Sequence, residues 1–125
     1  MPWTEEALNE IISRFEKYGL KVINMMIGGY PNAIYGREGR DEEIEKIQAS
    51  LRAAGNVGLP VVEYNFYAHR LTEGYYEVEG RGGAGYTGYR YDDVKDLPPI
   101  PENGTHTEEE LWANLTYLLK AIIPV

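Results

Sequence analysis

Leu59-Pro60-Val61-Val62-Glu63-Tyr64-Asn65-Phe66 is the stretch on which the fold turns. It is short, dense in β-branched and aromatic residues, and carries proline only near its start, where a missing N–H costs a sheet least. A strand over 59–66 therefore follows. Side chains alternate along a strand, so Leu59, Val61, Glu63 and Asn65 share one face, and Val62, Tyr64 and Phe66 the other. The first face turns polar only toward its C-terminal end. A strand does this when its start fills a core and its end lines a pocket.

Working outward, Ile44, Ile47, Leu51 and Ala54 recur at helical spacing between Asp41 and Gly55, which predicts a helix over 41–54. Before it, the apolar run from Leu20 to Ile27, interrupted only by Lys21 and Asn24, predicts a second buried strand over 20–27. Thr4 as N-cap, acidic Glu5 and Glu6, and the stripe Leu8, Ile11, Ile12, Phe15 predict a helix over 4–18, stopped at Gly19. On the other side, a long Gly- and Tyr-rich loop is expected over 67–106. Thr107 and Glu110 then form a capping box that opens a helix over 107–123.

Helices alternating with buried strands imply parallel pairing through helical crossovers, the α/β class. Two strands and three helices make a poor sheet by themselves. The expectation is a single unit over 1–125 that is part of a (β/α)8 TIM barrel, with both ends cut through a larger βα repeat. A whole barrel takes about 250 residues.

Bulk properties exclude several functions. The net charge is −8, with 20 acidic against 12 basic side chains, which disfavours nucleic acid and anionic membrane surfaces as partners. Cysteine is absent, so there is no disulfide framework and no thiolate metal site. No run is long enough to span a membrane, and the first residues are acidic where a signal peptide is basic and then apolar. A soluble, cytoplasmic protein is expected.

In a barrel the working residues sit at strand C-termini and in the loops that follow. Glu63 and Asn65 qualify, with Asn24 as a weaker counterpart on the first strand; each could equally be a buried polar group satisfied by backbone. Arg37 and Arg40 stand just before a helix N-terminus, where a guanidinium can hold a carboxylate in bidentate fashion. Arg40 also has Asp41 beside it and could simply tie the loop to the helix. His69 and Arg70 follow the second strand. His69 is the weak candidate for proton transfer, against the commoner role of a solvated loop histidine. His106 reads as a residue at the following helix cap. The two histidines stand too far apart for a recognised metal spacing, and nothing completes a site around Glu63, so no metal ligand is assigned. The run Gly80-Arg81-Gly82-Gly83-Ala84-Gly85 matches G-x-G-x-x-G in letters only, since no helix signal follows it.

The segments Met25-Met26-Ile27-Gly28-Gly29-Tyr30-Pro31-Asn32, Ile34-Tyr35-Gly36-Arg37 through Gly39-Arg40-Asp41, Val62-Glu63-Tyr64-Asn65-Phe66 and Trp112 to Val125 occur in an order that resembles the mannonate dehydratase family. The resemblance covers nearly the whole chain. It implies a barrel related to the xylose-isomerase-like barrels. It also implies dehydration of D-mannonate to 2-dehydro-3-deoxy-D-gluconate in hexuronate breakdown, assisted by Mn2+ or Fe2+. It further implies homo-oligomeric full-length relatives. On that reading Asn65, Arg37, Arg70 and Glu63 are substrate-binding candidates for a sugar acid. Many family members carry Asp-Trp-Thr-Arg where this chain has Tyr67-Ala68-His69-Arg70. The family's metal-binding residues lie beyond the last helix, so they have no counterpart in this chain, which by itself is expected to be inactive. Alternatives are a sugar isomerase or epimerase on the related barrel, and a non-catalytic sugar-acid binding module.

Overall fold

The computed structural model describes residues 2–67 and 73–125. Helix α1 (Glu5–Glu16) is capped by Thr4, whose Oγ1 accepts from the Ala7 N–H at 3.2 Å. Strand β1 (Met25–Ile27) follows, then a short helix α2 (Pro31–Tyr35) and the long helix α3 (Arg40–Asn56). Strand β2 (Val62–Tyr64) comes next, then β3 (Tyr75–Glu79), β4 (Gly85–Tyr89) and helix α4 (Glu108–Ile122). The capping box at α4 is complete: Glu110 N–H donates to Thr107 Oγ1 at 3.2 Å, and Thr107 N–H to Glu110 Oε2 at 2.8 Å.

β1 and β2 pair in parallel, Met25 beside Val62, Met26 beside Glu63 and Ile27 beside Tyr64. Both strands are shorter than the apolar runs that encode them. Gly58, at φ +74, turns the chain so that Leu59 packs back under α3 instead of extending the strand. Pro60 has no N–H to offer a ladder. Residues 20–24 therefore have no partner to pair with, and only 25–27 are strand. α2 was not expected. Its signals are Pro31 at the first turn and Gly36 closing it in the left-handed conformation, φ +65. α3 begins one residue earlier than expected, with Gly39 rather than Asp41 at the N-cap.

The chain divides into two compact units, Met1–Tyr67 with His106–Val125, and Ala68–Thr105. In the first unit one face of the β1–β2 pair is covered by helices. One core cluster joins Ile27, Tyr30, Ala33, Ile44, Ile47 and Leu118; another joins Leu8, Ala53, Ala54 and Leu59. Trp3 and Val62 pack against both. Burying each large aliphatic side chain contributes roughly 1.5–3 kcal/mol. A sheet of two strands covers little, so the outer helices bury little: Leu8 alone in α1 and Leu118 alone in α4. Phe15, expected on the apolar stripe of α1, is 47% exposed.

Polar ties join the helices. Buried Ser50 accepts from the Trp3 N–H at 2.9 Å and donates to the Lys46 carbonyl at 2.8 Å. Gln48 Nε2 donates to the Ala121 carbonyl at 2.9 Å, and Asn114 Nδ2 to that of Ile34 at 3.1 Å. Glu43 Oε2 accepts from the Ala33 N–H at 2.9 Å, satisfying a donor in the first turn of α2.

The second unit is not the irregular loop expected over 67–106. Its centre is an antiparallel hairpin, with Tyr75 opposite Tyr89, Glu77 opposite Thr87 and Glu79 opposite Gly85. The Gly80-to-Gly85 run is its turn, containing a single 3-10 turn at Arg81–Gly83. No helix of the described residues is long and apolar enough to cross a membrane.

Candidate functional site

The face of the β1–β2 pair opposite the helix-covered one is open, and its polar residues lie in and beside the two strands. Glu63 and Met26 are register partners on it, both exposed. Asn24 Nδ2 donates to Glu63 Oε2 at 3.1 Å, bridging the strands. Asn65 follows β2 directly. Its side-chain amide is directed at Met26 Sδ, and its main-chain carbonyl accepts from the Tyr30 hydroxyl. Asn24, Glu63 and Asn65 thus lie on one patch, fixed by strand register and by two side-chain contacts between the strands.

Tyr30 is the residue that reading the sequence missed. It is almost fully buried. Burial raises its phenol pKa above the usual value. The available signal was an aromatic placed between Gly28-Gly29 and Pro31 at a strand end, too bulky to be a simple turn residue.

The candidate arginines Arg37 and Arg40 are held against aromatic rings. Arg37 follows α2 with its Cζ 4.5 Å above the Tyr35 ring, and that ring stacks on His106 at a centroid distance of 4.9 Å. Arg40 sits over the Tyr117 ring at 3.9 Å and beside Asp41 at 3.5 Å. Tyr117 in turn donates to Asp41 Oδ1 at 2.9 Å. Arg40 therefore joins α3 to α4. His69 and Arg70 lie outside the described residues. A cleft lined by Trp3, Ile27, Gly28, Tyr30, Glu43 and Ser50 includes none of Asn24, Glu63 or Asn65.

A manganese or iron ion needs several nitrogen, oxygen or sulfur donors converging on one point. Among the described residues no three His, Cys, Asp or Glu side chains do so, and the Glu63 carboxylate already accepts from Asn24. These residues do not fit a metal ion.

Two parallel strands with helices over one face form an α/β architecture, and Asn24, Glu63 and Asn65 lie together on the other face. The chain resembles the mannonate dehydratases in sequence and in fold. It is 29% identical to mannonate dehydratase of Oceanobacillus iheyensis over 147 aligned positions, covering 98% of this chain and 42% of that protein. It is 28% identical to mannonate dehydratase of Streptococcus equi subsp. zooepidemicus, covering 98% and 40%. The crystal structure of mannonate dehydratase from Streptococcus suis serotype 2 superposes with a TM-score of 0.81 at 29% identity, over 99% of this chain and 39% of that one. The chain thus spans about two fifths of the length of these relatives. No protein-family model matches it.

Proposed function

We propose that this chain forms part of a (β/α)8 sugar-acid dehydratase that removes water from D-mannonate to give 2-dehydro-3-deoxy-D-gluconate. The observation that carries this reading is the joint match in sequence and fold to mannonate dehydratases along nearly the whole chain. The open patch of Asn24, Glu63 and Asn65 adds hydrogen-bonding groups of the kind a polyhydroxylated substrate needs. In this proposal Asn65 and Glu63 contact sugar hydroxyls, and Arg37 or Arg70 holds the substrate carboxylate as a bidentate partner. His69 is the candidate for moving a proton to or from the sugar. The chain contributes binding and orientation, and no metal ligand is assigned to it.

The test is a chimera in which this chain replaces the matching segment of the Streptococcus suis enzyme. Dehydration of D-mannonate by the chimera is expected, and none by the 125-residue chain alone with added Mn2+ or Fe2+. A folded chimera that neither binds nor dehydrates D-mannonate overturns the proposal. So does turnover by the purified chain alone, since the active site would then lie wholly within it.

A further inference from the structure

The hairpin of the second unit has one protected strand and one unprotected. β3 carries Glu77 and Glu79 on one face, and charges on an edge strand deter pairing with another chain. β4, Gly85-Tyr86-Thr87-Gly88-Tyr89, holds no charge and no proline. Among the described residues no strand pairs with its outer edge. The bonds Gly80 N–H to Ala84 carbonyl, 2.7 Å, and Arg90 N–H to Gly74 carbonyl, 2.8 Å, fix the hydrogen-bonding phase of the ladder. In that phase Tyr86 and Gly88 bond inward to β3. The N–H and C=O groups of Gly85, Thr87 and Tyr89 point outward. A lone two-stranded ribbon is marginally stable, and three or more strands are needed for stability of its own.

We infer that β4 is a self-pairing edge, its partner the β4 strand of a second copy of this chain, antiparallel about a two-fold axis at Thr87. The sequence is self-complementary in that register. Thr87 meets Thr87 of the second copy, Gly85 meets Tyr89 and Tyr86 meets Gly88. Each ring then faces a glycine, and like faces meet because the axis stands perpendicular to the sheet. All the outward groups named above become paired residues that exchange both hydrogen bonds. The central Thr–Thr pair is a favourable cross-strand combination. The glutamates of β3 stay on the outer strands of the resulting four-stranded sheet, away from the junction. Pairing through β3 would instead bring Glu77 and Glu79 of the two copies together.

Amide hydrogen exchange on the full chain, at several concentrations, with mass in solution measured in parallel, tests this pairing. The expected result is a dimer. In it the Gly85, Thr87 and Tyr89 amides become protected on the order of tenfold or more as concentration rises. The Tyr86 and Gly88 amides are protected throughout. Thr87→Pro removes an N–H that bonds nothing in the monomer, so β3–β4 pairing survives while dimer affinity falls on the order of tenfold or more. Thr87→Lys, which gains Glu77 as a cross-strand neighbour in the monomer, places two ammonium groups at the axis and also weakens the dimer. The inference is overturned if the outward amides stay unprotected at every concentration. It is equally overturned if association is unchanged in both variants while Tyr86 and Gly88 remain protected, because another surface would then be joining the copies. Neither result bears on the dehydratase proposal.

Discussion

The Tyr30 hydroxyl donates to the main-chain carbonyl of Asn65, so the loop after β1 holds the chain just past β2. This bond adds to the ladder and to the Asn24–Glu63 and Asn65–Met26 side-chain contacts between the two strands. Tyr30→Phe keeps the ring in the core and leaves the carbonyl without its donor. A loss of about 0.5–1.5 kcal/mol is expected, a melting shift of roughly 4–8 °C per kcal/mol for a domain of this size. Thermal denaturation followed by circular dichroism measures it.

The same residue gives a pH prediction. Burial raises the Tyr30 pKa in the folded state, so the native chain binds this proton more tightly than the unfolded chain does. The resulting stability is fully present below the unfolded tyrosine pKa of about 10 and is lost as pH rises through the higher folded value. Denaturant titrations from about pH 8 to 11 are expected to show a steeper loss for the parent than for Tyr30→Phe. Parallel curves would remove Tyr30 as the source.

Gly36→Ala is expected to be costly for two separable reasons. Its φ of +65 is unfavourable for any residue with a Cβ, and that Cβ would lie 2.6 Å from Asn114 Oδ1. Asn114 would have to give up its bond to the Ile34 carbonyl. Together these predict a loss of about 1–3 kcal/mol. In the double variant with Asn114→Ala only the backbone cost remains, so the two changes should be less than additive in equilibrium unfolding.

Ser50→Ala leaves the Trp3 N–H without its acceptor at a buried position. The expected cost is about 1–3 kcal/mol. Trp3 packs against both core clusters, so its fluorescence should report the loosening before global unfolding.

In the active chimera, Arg37→Ala, Arg70→Ala and Asn65→Ala test the substrate contacts. Loss of a bidentate arginine–carboxylate contact is expected to lower kcat/KM roughly tenfold to hundredfold. At least one arginine should show this, with Asn65→Ala also impaired. Arg81→Ala in the hairpin turn is expected to do less. Near-normal turnover in the first three with a crippled Arg81→Ala would move the substrate contacts to the hairpin.

The helices were legible because their caps and stripes are local: Thr4 and Thr107 accept from the backbone donors their positions predict. Parallel pairing was legible from alternation alone. Strand length was not, because it depends on where the partner starts, and Gly58 and Pro60 delay β2. The hairpin was hidden by its glycines, which read as breakers. The alternation Tyr75-Glu77-Glu79 against Tyr76-Val78, mirrored in Gly85 to Tyr89, was the period-two signal. On the second strand, the alternation put Glu63 and Asn65 on one face, the face that the helices leave open. The bridge from Asn24 and the bond from Tyr30 depend on register, which residue identity alone does not show.

The second unit is one uninterrupted segment placed between a strand and a helix of the first. Closing such a connection costs an entropy that grows only with the logarithm of its length, about 0.6 kcal/mol for each doubling. Natural selection could therefore lengthen, shorten or replace that segment at little thermodynamic penalty to the fold around it. The alignment with the Oceanobacillus enzyme runs to 147 positions against the 125 residues of this chain. Length has changed somewhere within the shared span, and the connection from β2 to α4 is where chain statistics resist such change least.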